Sequence, residues 1–180
     1  MNDNNKRRLP NDIELFGALI FYTNFAGRES MSNTKGTRSF CVAIDPDAVE
    51  DLEEAGWTIK HWDEPRTFNG VPVEYYMNVT INLDDKYYPP EIYKVIPDEG
   101  LLELTARNIG MMDNAMFENV DVTIRPKPWE YMNKTGIKAM VRNMYITCKN
   151  RRMDDKYMSM RVIRDTPDLP EDEDEEVPFA

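Results

Sequence analysis

Between residues 125 and 138 the chain interleaves cations with aromatic rings: Arg125, Lys127, Trp129, Tyr131, Lys134 and Lys138. The chemistry this set supports is binding. Cations neutralise phosphates, and exposed rings stack on bases that no complementary strand covers. Single-stranded nucleic acid asks for both at once. The competing reading makes Trp129 a core plug and the lysines and arginines a solubilising surface.

Bond-breaking chemistry finds less support. The adjacent carboxylates Asp84-Asp85 and Asp154-Asp155 are the kind of pair that holds Mg²⁺ in a nuclease. Nothing converges on them: the chain has no Gly-rich phosphate loop, no HExxH and no GxSxG. In so acidic a chain they read as solvated turns, and no catalytic residue is assigned. His61 is the sole histidine, and Cys41 and Cys148 lie far apart in apolar runs. A zinc site is therefore not expected, nor any metal or other cofactor, and the cysteines are expected to be reduced and buried in a cytosolic protein. No apolar run is long enough for a membrane span, and MNDNNKRRLPND lacks the apolar centre of a signal peptide.

The net charge of −11 argues against a nucleic-acid partner until its distribution is considered. Residues 165–180 hold eight acidic residues and no basic one. Residues 45–103 hold fifteen acidic against four basic, whereas residues 118–152 hold eight basic against three acidic. Local potential governs phosphate binding, so the basic stretch outweighs the global sign. The chain ends EDEDEEVPFA. A run of like charge stays extended and solvated, but an exposed Phe179 after Val177 and Pro178 suits a short peptide for a partner's apolar pocket. Asp174, Glu175 and Glu176 would steer that peptide to a basic rim, and the polyanion would compete with nucleic acid for the basic groove.

Positioning these groups requires a mainly β domain. IELFGALIFYTNF is apolar at both parities with Gly17 at its centre, so it is either buried on both faces or bent at the glycine. RSFCVAI is a short strand. Asp45-Pro46 opens a short acidic helix that Gly56 closes. In EYYMNVTINL, Tyr75, Met77, Val79, Ile81 and Leu83 share one face. A second helix is expected near residues 101–116. Trp57 and Trp62 flank the strand-like WTIKHW and read as core. The final segment forms a long hairpin turning around Asn133-Lys134-Thr135-Gly136. In its first arm Val120, Val122 and Ile124 point one way. In the second, the step from Val141 to Met144 breaks the alternation, as a β-bulge or a sharply coiled strand would. Together these suggest an OB-fold-like barrel of about five strands with one or two short helices. A flat sandwich is the alternative.

Several motifs in order resemble a known family. Asn24-Phe25-Ala26-Gly27, Arg38-Ser39-Phe40, Gly56-Trp57, NVDVTIRPKPWE and KTGIKAMVRNMYIT follow the pattern of bacteriophage single-stranded DNA-binding proteins over most of residues 13–148. The resemblance implies an OB-fold that binds single-stranded DNA without sequence preference during phage replication, recombination or repair, in the cytoplasm of the infected bacterial host. The terminal peptide is similar to the protein-recruiting tip of bacterial single-strand binding proteins, but here Ala180 follows the phenylalanine.

The expected organisation is a flexible arm over residues 1–12, an OB-fold-like domain over 13–152, and a linker with an acidic tail over 153–180. DNA contacts are expected from Phe25, Arg28, Arg38, Tyr76, Arg125, Lys127, Trp129, Tyr131, Lys134, Lys138 and Arg142. Replication or recombination proteins are the expected partners of Asp174, Glu175, Glu176, Val177, Pro178 and Phe179. A protein-interaction or structural barrel without nucleic acid is the competing function, since one barrel serves either task.

Overall fold

The structure, a computed structural model, describes residues 8–31, 33–149 and 160. The chain divides into two units, residues 1–149 and 150–180, and every strand described belongs to the first. The tail residues 174–179 and the carboxylates Asp154 and Asp155 lie outside the described residues.

Nine strands are present among the described residues. The first two, β1 (Ile13–Leu15) and β2 (Ile20–Asn24), are arms of one bent strand. The bend sits at Gly17, whose φ of +61° lies where other residues are strained. Its N–H donates to Asp121 Oδ1 at 2.9 Å, and the next residue's N–H donates to the Val120 carbonyl at 2.8 Å. The bend lets one short segment serve two neighbours. β1 pairs antiparallel with β8 (Phe117–Tyr131), and β2 with β3 (Arg38–Ile44).

From β3 the ladder passes to β5 (Val71–Ile81), then in parallel to β9 (Lys134–Cys148), and antiparallel to β8. Following β8 to β1 returns the path to the bent strand. This five-strand circuit is the OB-type barrel expected from the sequence. Outside it, β4 (Lys60–Phe68) pairs with β5, and β6 (Glu91–Ile96) joins β9 and β7 (Gly100–Glu103).

Alternation explains what fills the barrel. Met77, Val79 and Ile81 from β5 and Val120, Val122 and Ile124 from β8 all enter one buried cluster with Phe25, Phe40 and Ile109. The expected phase change is a bulge: Thr123 pairs with Asn143 and Ile124 with Val141, which leaves Arg142 as the extra residue. Trp57 is core, as expected, while Trp62 is half-buried in a smaller cluster with Phe21, Cys41, Val73, Phe68 and Tyr76. Cys41 is buried and Cys148 partly so; both are free thiols.

Three local expectations are corrected. Residues 101–116 do not form one helix. They give the hairpin strand β7 and then a 3-10 turn at Ile109–Asn114. Side chains take the backbone groups that a helix would use: Asn108 Oδ1 accepts from Thr105 N–H at 2.6 Å, and Asn108 Nδ2 donates to the Glu103 carbonyl at 3.1 Å. The hairpin turn is also earlier than expected. Met132 and Asn133, at φ of 46° and 62°, form a two-residue reversal of the type that matches strand twist, and Lys134 already belongs to β9. The acidic helix is shorter than its signals imply. Asp45 caps a 3-10 turn at Pro46–Ala48, and α1 covers Val49–Glu54.

The turn after β2 is held by one carboxylate. Asp113 accepts from Phe25 N–H at 2.7 Å and Ala26 N–H at 2.9 Å. Asp113→Ala should therefore lower stability by about 1–3 kcal/mol, because two partly buried donors lose their acceptor. Chemical denaturation measures it, and an unchanged midpoint would show the clamp to be idle.

Candidate nucleic-acid interface

The hairpin formed by β8 and β9 has two unlike faces, and the pairing decides which residue lies on which. Side chains of directly opposed residues point the same way. The pairs Arg125–Met140, Lys127–Lys138, Trp129–Gly136 and Tyr131–Lys134 thus share the face opposite Ile124. The intervening pairs, Pro126–Ala139 and Pro128–Ile137, continue the core side. Five of the residues expected to contact DNA, Lys127, Trp129, Tyr131, Lys134 and Lys138, are thereby exposed on one face. Side chains in such a row recur about every 6.8 Å along the strand.

Trp129 is 45% exposed, which removes the core-plug reading. Its ring lies across Gly136: a Cβ there would stand 2.5 Å from Trp129 Cζ2. The glycine thus provides the floor on which the indole rests flat. Between the hairpin and the end of α1 lies a cavity of about 760 Å³, lined by Trp129 and Gly136 together with Arg8, Glu53, Glu54 and Glu130. Three carboxylates and one arginine line it, so the indole of Trp129 has an acidic neighbourhood toward α1 and the lysines along its own row.

Other expected contacts are placed differently. Phe25 is fully buried, in edge contact with Phe117 and stacked near Phe40; its ring belongs to the core and cannot meet a base. Arg125 is 6% exposed and paired with Asp85 through Nη2–Oδ2 at 2.9 Å, so its charge is already neutralised. This also corrects the reading of Asp85 as a solvated turn residue. Arg142, at the bulge, is paired with Asp12. Tyr76 stacks on Trp62 at 4.2 Å and stays half-buried. Arg38 is partly buried at the start of β3. Arg28 is exposed beside a turn in which Asn24 Oδ1 accepts its N–H at 2.9 Å.

Sequence reasoning passed over the segment between β5 and β6. Asp85 Oδ1 accepts N–H bonds from Tyr87 at 2.9 Å and Tyr88 at 3.0 Å. The Arg125 guanidinium carbon lies 5.0 Å from the Tyr88 ring centre. The run DDKYYPP was a signal of sorts, since prolines and a turn-forming aspartate were set around two rings. A second such group surrounds Trp62: Arg66 lies 4.7 Å over its ring and donates to Tyr22 Oη at 2.9 Å.

The titration of these groups follows from their surroundings. The N–H groups of Tyr88 and Tyr87 hold the Asp85 carboxyl below the ordinary range, and the charges of Arg125 and Lys127 add to that against the opposing effect of desolvation. Burial raises the pKa of Cys41 and of Cys148, which keeps both as unreactive thiols at neutral pH. No cluster of three or more metal-ligating side chains occurs among the described residues, and no helix among them is long and apolar enough to cross a membrane.

The sign of the Asp85 shift sets a pH dependence. A depressed carboxyl stabilises fully above its unfolded value of about 3.9 and loses that contribution as pH falls through the lower folded value. Asp85→Asn should be less stable than wild type at neutral pH, with the gap closing below about pH 4. Thermal melts across this range measure it; a gap that stays constant would mean that the carboxylate's charge is not what the fold holds.

The model of the phage ssDNA-binding domain family matches residues 1–177, and the chain belongs to that family. No curated relative matches it. Among solved structures it is similar to the single-stranded DNA-binding protein of bacteriophage Enc34 in complex with ssDNA, at 12% identity and a TM-score of 0.49, covering 78% of this chain and 88% of that one. A further structure of the Enc34 protein gives 12% identity and 0.48, over 84% and 87%. For gp2.5, the single-stranded DNA-binding protein of bacteriophage T7, the values are 11% and 0.35, over 86% and 98%.

Proposed function

We propose that this member of the phage ssDNA-binding family binds single-stranded DNA without sequence preference and without catalysis, in the replication or recombination of phage DNA inside the host. The observation that carries the reading is the single hairpin face on which Lys127, Trp129, Tyr131, Lys134 and Lys138 stand exposed. In this mechanism Trp129 and Tyr131 stack on unpaired bases. Every base offers a π-face, so the contact is indifferent to sequence. The lysines on either side neutralise phosphates and release counterions. Duplex bases are already stacked and paired, and give the rings nothing to hold.

Titration with a homopolymeric single strand at two salt concentrations tests this. Tryptophan fluorescence should be quenched by single strands and scarcely by duplex, and affinity should fall steeply as salt rises. Trp129→Ala should cost about 1–3 kcal/mol of binding with the salt slope unchanged, whereas Lys134→Ala should flatten the slope by about one unit. Salt-insensitive behaviour would favour a barrel that binds protein instead, and equal affinity for duplex would count against base stacking in the hairpin groove.

The acidic tail has a separate proposed role, in which Asp174, Glu175 and Glu176 compete with DNA for the cationic face and Phe179, behind Val177 and Pro178, enters a pocket on a replication protein. Removing residues 165–180 should raise DNA affinity, most at low salt where screening is weakest. Phe179→Ala should leave DNA affinity unchanged and reduce recovery of replication proteins in pull-downs. Equal recovery would leave the aromatic tip without a function.

A further inference from the structure

Residues 82–90 leave β5 and return to β6 beside the hairpin face, and one carboxylate organises them. Asp85 joins three groups: the Tyr87 N–H, the Tyr88 N–H and the Arg125 guanidinium. Arg125 in turn underlies the Tyr88 ring. Both partners of the ion pair are largely buried, with side chains 7% and 11% exposed. The loop is therefore fastened at its base to the strand that bears Lys127 two residues on and Trp129 four residues on.

What the fastening presents is unusual. Tyr87 is 85% and Tyr88 59% exposed, yet the backbone of each is fixed by a hydrogen bond. A turn needs neither ring outside for its own stability. An exposed ring on a fixed backbone is a platform that loses little entropy when something lies on it. Arg125 and Tyr88 also stand at the head of the row that continues, about 6.8 Å at a time, through Lys127, Trp129 and Tyr131.

We infer that the β5–β6 loop is a second wall of the nucleic-acid groove, in which Tyr87 stacks on a base of the strand held by the hairpin face and Asp85 and Arg125 are positioning residues. This rests on the reading that the hairpin face binds single strands. The loop contributes a ring and no net charge: Asp85 is balanced by Arg125, and Lys86 faces solvent with Asp84 two residues before it. Its loss should therefore lower affinity at every salt concentration alike.

Fluorescence anisotropy with the full chain and a labelled oligothymidylate tests it. Tyr87→Ala should raise Kd by about 5- to 150-fold, the loss of one base stack, with the salt slope unchanged. Tyr87→Phe should retain wild-type affinity. Asp85→Asn should weaken binding, and adding Tyr87→Ala to it should cost less than Tyr87→Ala alone, because a ring that is no longer held has less to lose. Wild-type affinity in Tyr87→Ala, with wild type binding well, would overturn the loop and leave the hairpin intact. Absence of binding by wild type would overturn the function itself.

Discussion

The phase of the β8–β9 ladder is the constraint on which everything else depends. In a strand a slip of one residue exchanges the two faces. At the base of this hairpin Val120, Val122, Met144 and Ile146 must point inward; toward the tip Ile137, Ala139 and Val141 must do so as well. Regular alternation cannot satisfy both halves of β9, and the extra residue at Arg142 reconciles them. Without that bulge the tip half of β9 would turn Ile137, Ala139 and Val141 outward and bury Lys134 and Lys138. The salt link from Arg142 to Asp12 ties the bulged position to the segment that enters β1, so the place where the ladder changes phase is also held from outside.

Given that phase, charge is sorted by whether a partner exists within the fold. Arg125 sits in the same row as Lys127, but it is covered by the β5–β6 loop, and a covered guanidinium is costly unless a carboxylate meets it. Asp85 meets it. One step further along, no such loop covers the strand among the described residues and Lys127 remains exposed. The row thus passes from structural cation to exposed cation within two residues, and the same carboxylate that satisfies the first feels the charge of the second.

This explains what was legible in the sequence. Alternation and its interruption announce a two-faced hairpin with a bulge, because both are local and periodic. The face that carries Trp129 and the lysines follows from the same pattern. Arg125 did not, since an arginine in an alternating strand reads alike whether its partner is a phosphate or an aspartate forty residues away. Phe25 misled for a related reason: a phenylalanine in an Asn-Phe-x-Gly turn gives no sign that Asp113, eighty-eight residues on, draws its backbone inward. The 3-10 turn in place of a second helix reflects competition from the Asn108 side chain, which outweighs weak helical propensity. The barrel was legible from the bend at Gly17 and the phase change in the last hairpin, and motif order agreed with it. No periodicity, however, reveals that one short strand is shared by two neighbours.

The bend at Gly17 also has a kinetic side. Its N–H finds its acceptor 104 residues downstream, and β1 pairs only with β8 among the described strands. During synthesis at about 5–20 residues per second, the first arm of that strand waits roughly 5–20 s before its partner emerges. The barrel therefore cannot close before β8 has emerged, and β1 is an open edge until then. Contacts of such long sequence separation slow folding. Polar and charged neighbours at Asn11, Asp12 and Glu14 interrupt the apolar run there, which keeps the waiting edge from pairing with another chain.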